Sequence, residues 1–439
     1  MRVAWFSPLP PIQSGIASDN AELLARLDAA FTIDRYVEGA GRTPAGHRTF
    51  DAHDFVWKQQ REPYDLVTYQ LGNASYHDYI WAYLGRYPGL VVLHDPRLHH
   101  ARARQLLRRG RFDDYREEFW YDHPGAPRDV VEYTVQGMGG PIAYFWSMVR
   151  VAVRTARLVA VHNERVAADL REEFPGAPIA AIRLGKSPLD AGAAARARTR
   201  ARLDVPDGSV LFAAFGKLTA EKRVDAILRA FAALVAEGAD VHLLLAGDAT
   251  DCPTLTRDLS SLGIEGRVRA VGYVPDDTIG GYLAAADVCL CLRWPTARET
   301  SGSWLQCLAA GRPTVISDLA HLVDTPTIDP RTWRANDASP EPIAIAVDVL
   351  DEDRSLLLAM RRLAQDRQLT AELGRSGQAY WSAEHTLEAM AADYTRLLAD
   401  AVTRPAPAVA DLPAHLTRDY AEWARTIARQ FDVDVDILR

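Results

Sequence analysis

The sequence has few cysteines and lacks the features that mark several classes of protein. Its 439 residues include four cysteines, and no two of them form a C-x-x-C pair. Such a set is too small for a disulfide framework and lacks zinc-site spacing, so we expect reduced core thiols and a cytoplasmic location. The chain also has no uninterrupted run of about 18 apolar residues, which excludes a membrane-spanning helix.

Positive charge is not in excess. Lys plus Arg number 50 and Asp plus Glu 58, which gives a formal net charge of −8. We therefore expect no nucleic-acid partner.

The N-terminal segment lacks the charged region and long apolar stretch of a signal peptide, so residues 3–6 are interpreted as a first strand. No G-x-G-x-x-G follows that strand and no G-x-x-x-x-G-K-[ST] occurs, which argues against a nicotinamide cofactor and a P-loop ATPase.

The sequence does contain a regular alternation of apolar strand-like runs and helical segments. Runs in the first half occupy residues 65–69, 90–94 and 158–162. Runs in the second half occupy residues 210–215, 241–246, 268–271, 287–292 and 314–317. This pattern predicts an α/β protein with doubly wound parallel sheets, which bind ligands at the carboxyl ends of their strands.

An Ala- and Arg-rich shift in composition near residues 186–205 divides the chain. We predict a first domain over 1–190, a second over 200–375, a helix over 376–400 and a Pro-rich linker with a helical tail over 401–439. The tail includes an amphipathic helix near residues 415–430. The high Ala and Arg content is typical of a GC-rich bacterial genome.

A glycine turn between two lysines follows the first strand of the predicted second domain. Gly216 permits a sharp turn, and Lys217 and Lys222 flank it. Two ammonium groups at a strand end are costly unless an anion lies between them, and a diphosphate would fit. Surface lysines at a solvated helix start are the alternative.

A second strand end opens a helix with small residues. These residues are Thr300, Ser301, Gly302 and Ser303. Capping side chains and exposed amides make such a helix start an anion site. Glu299 stands just before it and would repel phosphate, so we interpret it as an acceptor for sugar hydroxyls. A carboxylate that only caps the helix is the alternative.

Polar residues also end two neighbouring strands of the first domain. His94 and Asp95 end one of these strands, and a loop at residues 13–17 resembles a further phosphate-binding turn. Five of the polar residues form our predicted acceptor pocket: Tyr69, Asn73, His77, Asp95 and His99. His94, Asp95, His99 and His100 could be interpreted as metal ligands, but their spacing is not that of a metal site, so no metal is predicted. Histidines satisfied within their own loops are the plain alternative.

In this order, the motifs resemble those of the retaining, nucleotide-sugar-dependent GT-B glycosyltransferases of family 4. The matching segments are 7–11, 14–17, 93–95, 216–222, 246–248, 271–274 and 299–313. The resemblance implies two Rossmann-like domains facing each other across a cleft, with the 376–400 helix crossing back onto the first domain. It also implies metal-independent hexosyl transfer with retention, and no cofactor besides the nucleoside-diphosphate sugar, whose base is uridine or guanosine.

The resemblance further implies a role for each matching residue. The catalytic residues would be His94, Lys217, Lys222 and Glu299. The donor contacts would be Gly15, Ile16, Gly216, Val274, Thr300, Ser301, Gly302, Ser303 and Gln306. The base would lie near Val274, and His94 would contact the sugar from the first domain.

The sequence departs from the family at Gln306, where a second glutamate is usual. This departure leaves the ribose contact and the choice of donor open. The alternatives are a GT-B sugar-nucleotide epimerase and a non-catalytic nucleotide-sugar-binding scaffold. The acceptor could be a glycan, a lipid or a small molecule, and the sequence does not decide among them or give the oligomeric state. Segment 97–150 is rich in Arg and aromatic residues, and its contact with a membrane surface also stays open.

Overall fold

The computed structural model describes residues 1–39, 48–189, 192–336, 341–409, 411–418 and 421–432. Parts of the predicted tail, at 410, 419–420 and 433–439, lie outside the described residues, as does residue 190 at the predicted boundary. No helix in the described ranges is both long and apolar enough to cross a membrane.

The first domain is built on a parallel sheet of continuous apolar strands. Its strands are β1 (Arg2–Phe6), β2 (Thr32–Val37), β3 (Thr49–Asp51), β4 (Leu66–Leu71), β5 (Leu90–Leu93), β6 (Leu158–Val161) and β7 (Ile179–Ala181). Its helices are α1 (Gly15–Leu27), α2 (Asp54–Arg61), α3 (Trp81–Leu84), α4 (His99–Leu107), α5 (Phe112–Asp122), α6 (Arg128–Val135), α7 (Arg150–Thr155) and α8 (Glu164–Glu173). The order β3-β2-β1-β4-β5-β6-β7 is that of a doubly wound sheet.

The second domain repeats this plan. Its strands are β8 (Val210–Phe215), β9 (Val241–Ala246), β10 (Val268–Gly272), β11 (Val288–Cys291), β12 (Thr314–Ser317), β13 (Thr327–Asp329), β14 (Arg334–Ala335) and β15 (Ala344–Val347). Its helices are α9 (Ala193–Leu203), α10 (Val224–Ala236), α11 (Leu255–Ser261), α12 (Asp276–Ala285), α13 (Gly302–Ala309), α14 (Glu352–Gln365) and α15 (Arg367–Glu384). The order is β10-β9-β8-β11-β12-β15-β13-β14, and the β13–β14 pair alone is antiparallel among the described strands. The predicted α/β class with two doubly wound sheets is confirmed.

The last helices of the chain differ from the prediction. The segment predicted as one helix over 376–400 contains the end of α15 and most of α16 (Leu387–Thr403), which are separated at His385 and Thr386. Thr386 caps α16 by accepting a hydrogen bond from the Ala389 amide at 3.2 Å. The predicted tail helix is likewise divided, into α17 (Ala414–Thr417) and α18 (Glu422–Gln430).

Helix α16 returns to the first domain and covers one face of its sheet. It packs against α1, β4 and β5. Tyr394 lies against Trp5 with ring centroids 5.6 Å apart, and Leu398 is fully buried in the same cluster as Val3 and Leu23. The first domain therefore completes its core with residues from near the other end of the chain.

Candidate functional site

A cavity of about 590 Å³ lies between the carboxyl ends of the two sheets. All the predicted catalytic and donor-binding residues line it, namely Gly15, Ile16, His94, Gly216, Lys217, Lys222, Val274, Glu299, Thr300, Ser301, Gly302, Ser303 and Gln306. Two cavities of similar volume, about 630 and 610 Å³, contain none of the predicted site residues. The cleft is therefore the place where the predicted chemistry converges.

The floor of the cleft is formed by two strand-end loops in backbone contact. Gly216 has a φ of +93°, and its amide donates to the Ala246 carbonyl at 3.0 Å. A Cβ at Gly247 would lie 2.0 Å from the Gly216 carbonyl oxygen, so only glycine fits there. This close approach fixes the turn that carries Lys217 and Lys222.

The two lysines of that turn have different surroundings. Lys217 is about half exposed (54 %) and forms an ion pair with Asp251 at 2.6 Å. The Lys222 ammonium lies in the cavity, 3.3 Å from the Ser303 hydroxyl. Burial, with nearby Arg293, lowers the pKa of Lys222 to about 8. Among the described residues, no carboxylate lies within ion-pair distance of Lys222.

Helix α13 directs its N-terminus at the same place. Ser301 is the N-cap and accepts a hydrogen bond from the Trp304 amide at 3.3 Å. Thr300 donates to the carbonyl of His162 in the first domain at 2.9 Å, which holds this helix start at the domain boundary. The first-turn amides and Lys222 together form an electropositive pocket.

Glu299 is oriented by its neighbours on the strand-to-helix segment. Its carboxylate forms an ion pair with Arg293 at 2.7 Å and accepts a hydrogen bond from the Thr296 hydroxyl at 2.9 Å. A carboxylate has about four lone-pair sites, so Glu299 retains acceptor capacity toward the cavity. Arg293 could not be assigned from the sequence, since a strand-end arginine has no signature of its own.

The first-domain wall contains a chain of hydrogen bonds through His94. Its Nε2 lies 2.7 Å from Gln70 Oε1, and its Nδ1 lies 3.2 Å from Nε2 of His162. Tyr394 of α16 donates to the same Gln70 oxygen at 3.2 Å. Burial holds the pKa of His94 well below its usual range, so the ring is neutral at pH 7. Both ring nitrogens of His94 are within hydrogen-bond distance of protein groups. In this arrangement no ring nitrogen is left for the predicted contact with the sugar.

Asp95 faces the second domain across the cleft. Its carboxylate accepts a hydrogen bond from the backbone amide of Asn73 at 2.7 Å. Burial, together with the Glu299 carboxylate, raises the pKa of Asp95 to about 7. Asn73 itself does not line the cavity; its side chain binds the Arg97 carbonyl at 2.7 Å and so holds the loop that carries Asp95.

The prediction of an acceptor pocket is wrong for Tyr69, His77 and His99, because these side chains point into the core. Tyr69 is fully buried and donates to the Tyr87 carbonyl at 2.9 Å. His77 lies 2.8 Å from the Gln70 carbonyl. His99 is hydrogen-bonded through both nitrogens, to the Trp146 carbonyl at 3.0 Å and the Tyr115 hydroxyl at 2.7 Å.

A possible cluster of metal ligands lies elsewhere. Within the described ranges, the group of three close candidate ligands is Asp114, Glu117 and His415, on α5 and α17. It is outside the cleft cavity.

Comparison with known proteins gives one matching family. Residues 209–353 match the family described as Glycosyl transferases group 1. A GDP-mannose-dependent alpha-(1-6)-phosphatidylinositol dimannoside mannosyltransferase of Mycobacterium tuberculosis is 35% identical over 153 residues, which are 34% of this chain and 38% of the relative. A 2-deoxystreptamine glucosyltransferase of Streptomyces kanamyceticus is 26% identical over 220 residues, 48% of this chain and 56% of the relative. The matches thus span between about two fifths and just over half of these relatives.

Solved structures resemble nearly the whole chain. Anabaena Alr3699/HepE in complex with UDP and glucose has a TM-score of 0.63 at 16% identity, covering 91% of this chain and 99% of that one. Sucrose-phosphate synthase from Thermosynechococcus elongatus also has a TM-score of 0.63 at 16% identity, covering 90% and 98%. At such identities the likeness shows the common two-domain fold.

Proposed function

We propose that this protein transfers a hexose from a nucleoside-diphosphate sugar to an acceptor, because residues 209–353 match the Glycosyl transferases group 1 family and the chain has the two-domain fold of its structural neighbours. The observation that carries the proposal is the Lys222 ammonium. It lies in the cleft without a carboxylate partner among the described residues, beside the N-terminus of α13. A diphosphate is the ligand that such a pocket needs.

The same groups supply the catalysis that we propose. As the bond between the sugar and the diphosphate breaks, negative charge grows on the leaving phosphate. Lys222 and the α13 amides already point at that position, so they stabilise the charge without reorganisation. Metal independence and retention of configuration belong to this proposal, since protein cations provide the counter-charge and the departing phosphate can accept the acceptor's proton.

Glu299 and Asp95 act on the sugar side of the cleft in this proposal. Glu299 binds donor hydroxyls with the lone pairs that Arg293 and Thr296 leave unused. Asp95, with a pKa of about 7, can both accept and donate hydrogen bonds at pH 7, and we assign it to the acceptor hydroxyl. Closure of the cleft around these groups would exclude water and favour transfer over hydrolysis.

The donor base is proposed to be uracil or guanine. One structural neighbour is a complex with UDP, and the M. tuberculosis relative is GDP-mannose-dependent. Val274 and Tyr273 line the cavity at its second-domain end and offer a surface for the base. We also keep a cytoplasmic location as part of the proposal, consistent with four free cysteines.

The test is thermal unfolding with UDP, GDP, ADP and dTDP in the presence of EDTA. A nucleoside diphosphate that binds the folded protein raises the midpoint by mass action. We expect one of the four to do so, and the shift to be lost in Lys222→Met. Lys58→Met, the same change on α2 outside the cleft, is the matched control and keeps the shift.

The enzyme part of the proposal has its own readout. The preferred nucleotide is supplied as its glucose and mannose conjugates, and release of nucleoside diphosphate is followed. We expect slow release in the wild type and none above background in Lys222→Met.

The absence of a shift in the unfolding midpoint with any of the four diphosphates would contradict the nucleotide site. A shift with no turnover would instead favour the scaffold alternative, for which Gln306 in place of a glutamate is the relevant feature.

A further inference from the structure

A lysine outside the family motifs also reaches the cleft. Lys186 lies in the segment that joins the two domains, after β7. Its amide donates to the His385 carbonyl at 2.9 Å, and it forms a backbone bridge with Thr386. A Cβ at the preceding Gly185 would lie 2.3 Å from the Thr386 carbonyl oxygen. This close backbone packing against the start of α16 fixes the position of Lys186.

The Lys186 ammonium lies over the first turn of α13. A Cβ placed on Gly302 would be 3.1 Å from Lys186 Nζ and 3.8 Å from Asp19 Oδ2. Asp19, on α1, forms an ion pair with Lys186, and the two side chains are 12 % and 8 % exposed. The segment that joins the two domains, the first domain and the second domain thus each contribute one group to a single buried contact.

This contact has an unfavourable element. A helix N-terminus carries partial positive charge, so a cation above it is unfavourable unless an anion lies close by. The Asp19 carboxylate supplies that anion here. Asp19 is itself poorly placed, because burial raises its pKa and the carboxylates of Glu22 and Asp276 lie nearby. A phosphate group bound at the N-terminus of α13 would supply negative charge in place of the Asp19 carboxylate.

We propose that Lys186 is a further ligand of the donor diphosphate, and that in the free protein Asp19 occupies the place of a phosphate oxygen. When the donor binds, Lys186 exchanges the carboxylate for the diphosphate, and Asp19 turns away from the phosphate charge. This inference rests on the proposed function, since it needs a diphosphate at α13. It assigns Lys186 to donor binding and makes Asp19 a built-in competitor of the donor.

The two residues then have opposite effects on affinity. Loss of the Lys186 ammonium removes a charged contact with the diphosphate, which we expect to weaken binding by about tenfold. Loss of the Asp19 charge removes the competitor and the repulsion, so Asp19→Asn binds more tightly, by several-fold. A purely structural ion pair would give the same direction of change for both variants, because each breaks the same contact.

The experiment is isothermal titration of the wild type with the nucleoside diphosphate that gives the largest thermal shift. Lys186→Met, Asp19→Asn, the double variant, Lys186→Arg and Lys222→Met are titrated in parallel, and unliganded unfolding midpoints report whether each folds. We expect weaker binding for Lys186→Met and for the double variant, tighter binding for Asp19→Asn, and near-normal binding for Lys186→Arg.

The outcomes separate this inference from the one on which it rests. If Lys222→Met loses binding while Lys186→Met binds as the wild type does, the assignment of Lys186 is overturned and the donor site stands. Weaker binding in Asp19→Asn overturns the competitor role, and it does so even if Lys186→Met fails to fold. If no diphosphate binds the wild type, or Lys222→Met binds normally, the proposed function itself fails.

Discussion

The two lysines of the β8–α10 turn show how burial changes the chemistry of one residue type. Lys217 is about half exposed and paired with Asp251, whereas Lys222 lies in the cavity beside Arg293. The charged form of Lys222 is therefore costly in the free protein and becomes favourable once an anion arrives. Its protonation should be linked to nucleotide binding.

We expect the affinity for nucleoside diphosphate to depend on pH through Lys222. The pKa of Lys222 is about 8 in the free protein, so below pH 8 the ammonium is present and binding is strongest. Above pH 8 the lysine must take up a proton to bind, and the dissociation constant should rise by up to about tenfold per pH unit. Titration calorimetry between pH 7 and 9.5 measures this dependence.

The control for that dependence is Lys222→Arg. An arginine stays charged over the whole range, so its dissociation constant should be nearly flat. Arg293, Glu299, Cys291 and Cys307 also surround Lys222, and they remain in the variant. An equal loss of affinity at high pH in both proteins would assign the effect to one of these neighbours, or to the ligand, and not to Lys222.

The sequence located the cleft residues better than it located the acceptor pocket. Residues 299–303 could be found because capping residues after an apolar strand mark a helix start. Tyr69 and His99 could not be excluded, because polar side chains near strand ends point to either face. Lys186 had no local signal at all: its partners Asp19 and Gly302 are 167 and 116 positions away along the chain.

Among the secondary-structure elements, the pair β8 and β9 places the lysine side of the electropositive pocket. Gly247 after β9 lies directly against the Gly216 carbonyl after β8, and the Leu218 amide donates to the Asp248 carbonyl at 2.8 Å. The two strand ends are thus joined beyond the sheet. Any atom added at Gly247 must push the Lys217–Lys222 turn away.

Gly247→Ala should therefore damage both stability and binding. Its Cβ would lie 2.0 Å from the Gly216 oxygen, and we expect overpacking to cost about 1–3 kcal/mol and to weaken nucleotide binding. Urea unfolding and titration calorimetry measure the two effects. Gly266→Ala is the matched control, because a Cβ there meets no atom within 4 Å. A Gly247→Ala protein as stable and as active as the control would show that the loops can separate freely.

The division between α15 and α16 shows what helical periodicity cannot predict. The apolar spacing continues through residues 376–400, so the sequence indicates one helix. At the break, Thr386 caps α16 and the backbone of Gly185 and Lys186 packs against His385 and Thr386, and this tertiary packing leaves no trace in the helical periodicity. The strands at 210–215 and 241–246 were predicted accurately because strands buried on both faces are uniformly apolar.

In the whole molecule, α16 makes the first domain depend on a distant part of the chain. We expect Leu398→Ala to cost about 2–5 kcal/mol, since Leu398 is fully buried against the first-domain sheet. Hydrogen exchange should become faster in β1 and β4 and remain unchanged in β9, which belongs to a separate core. Leu350→Ala, at a side chain that is 94 % exposed, is the control. Equal loss of protection in β9 would mean that the two domains unfold as one unit.

The same covering helix has a consequence for biosynthesis. Strand β7 ends at Ala181 and α16 begins at Leu387, so a ribosome must add 205 residues between these two points. At usual rates of synthesis this takes about 10–40 s. During that interval the nascent first domain has all its strands but lacks the helix that covers Val3, Trp5 and Leu23. The domain that is translated first is therefore completed late, and its apolar face stays uncovered on the growing chain until α16 has been made.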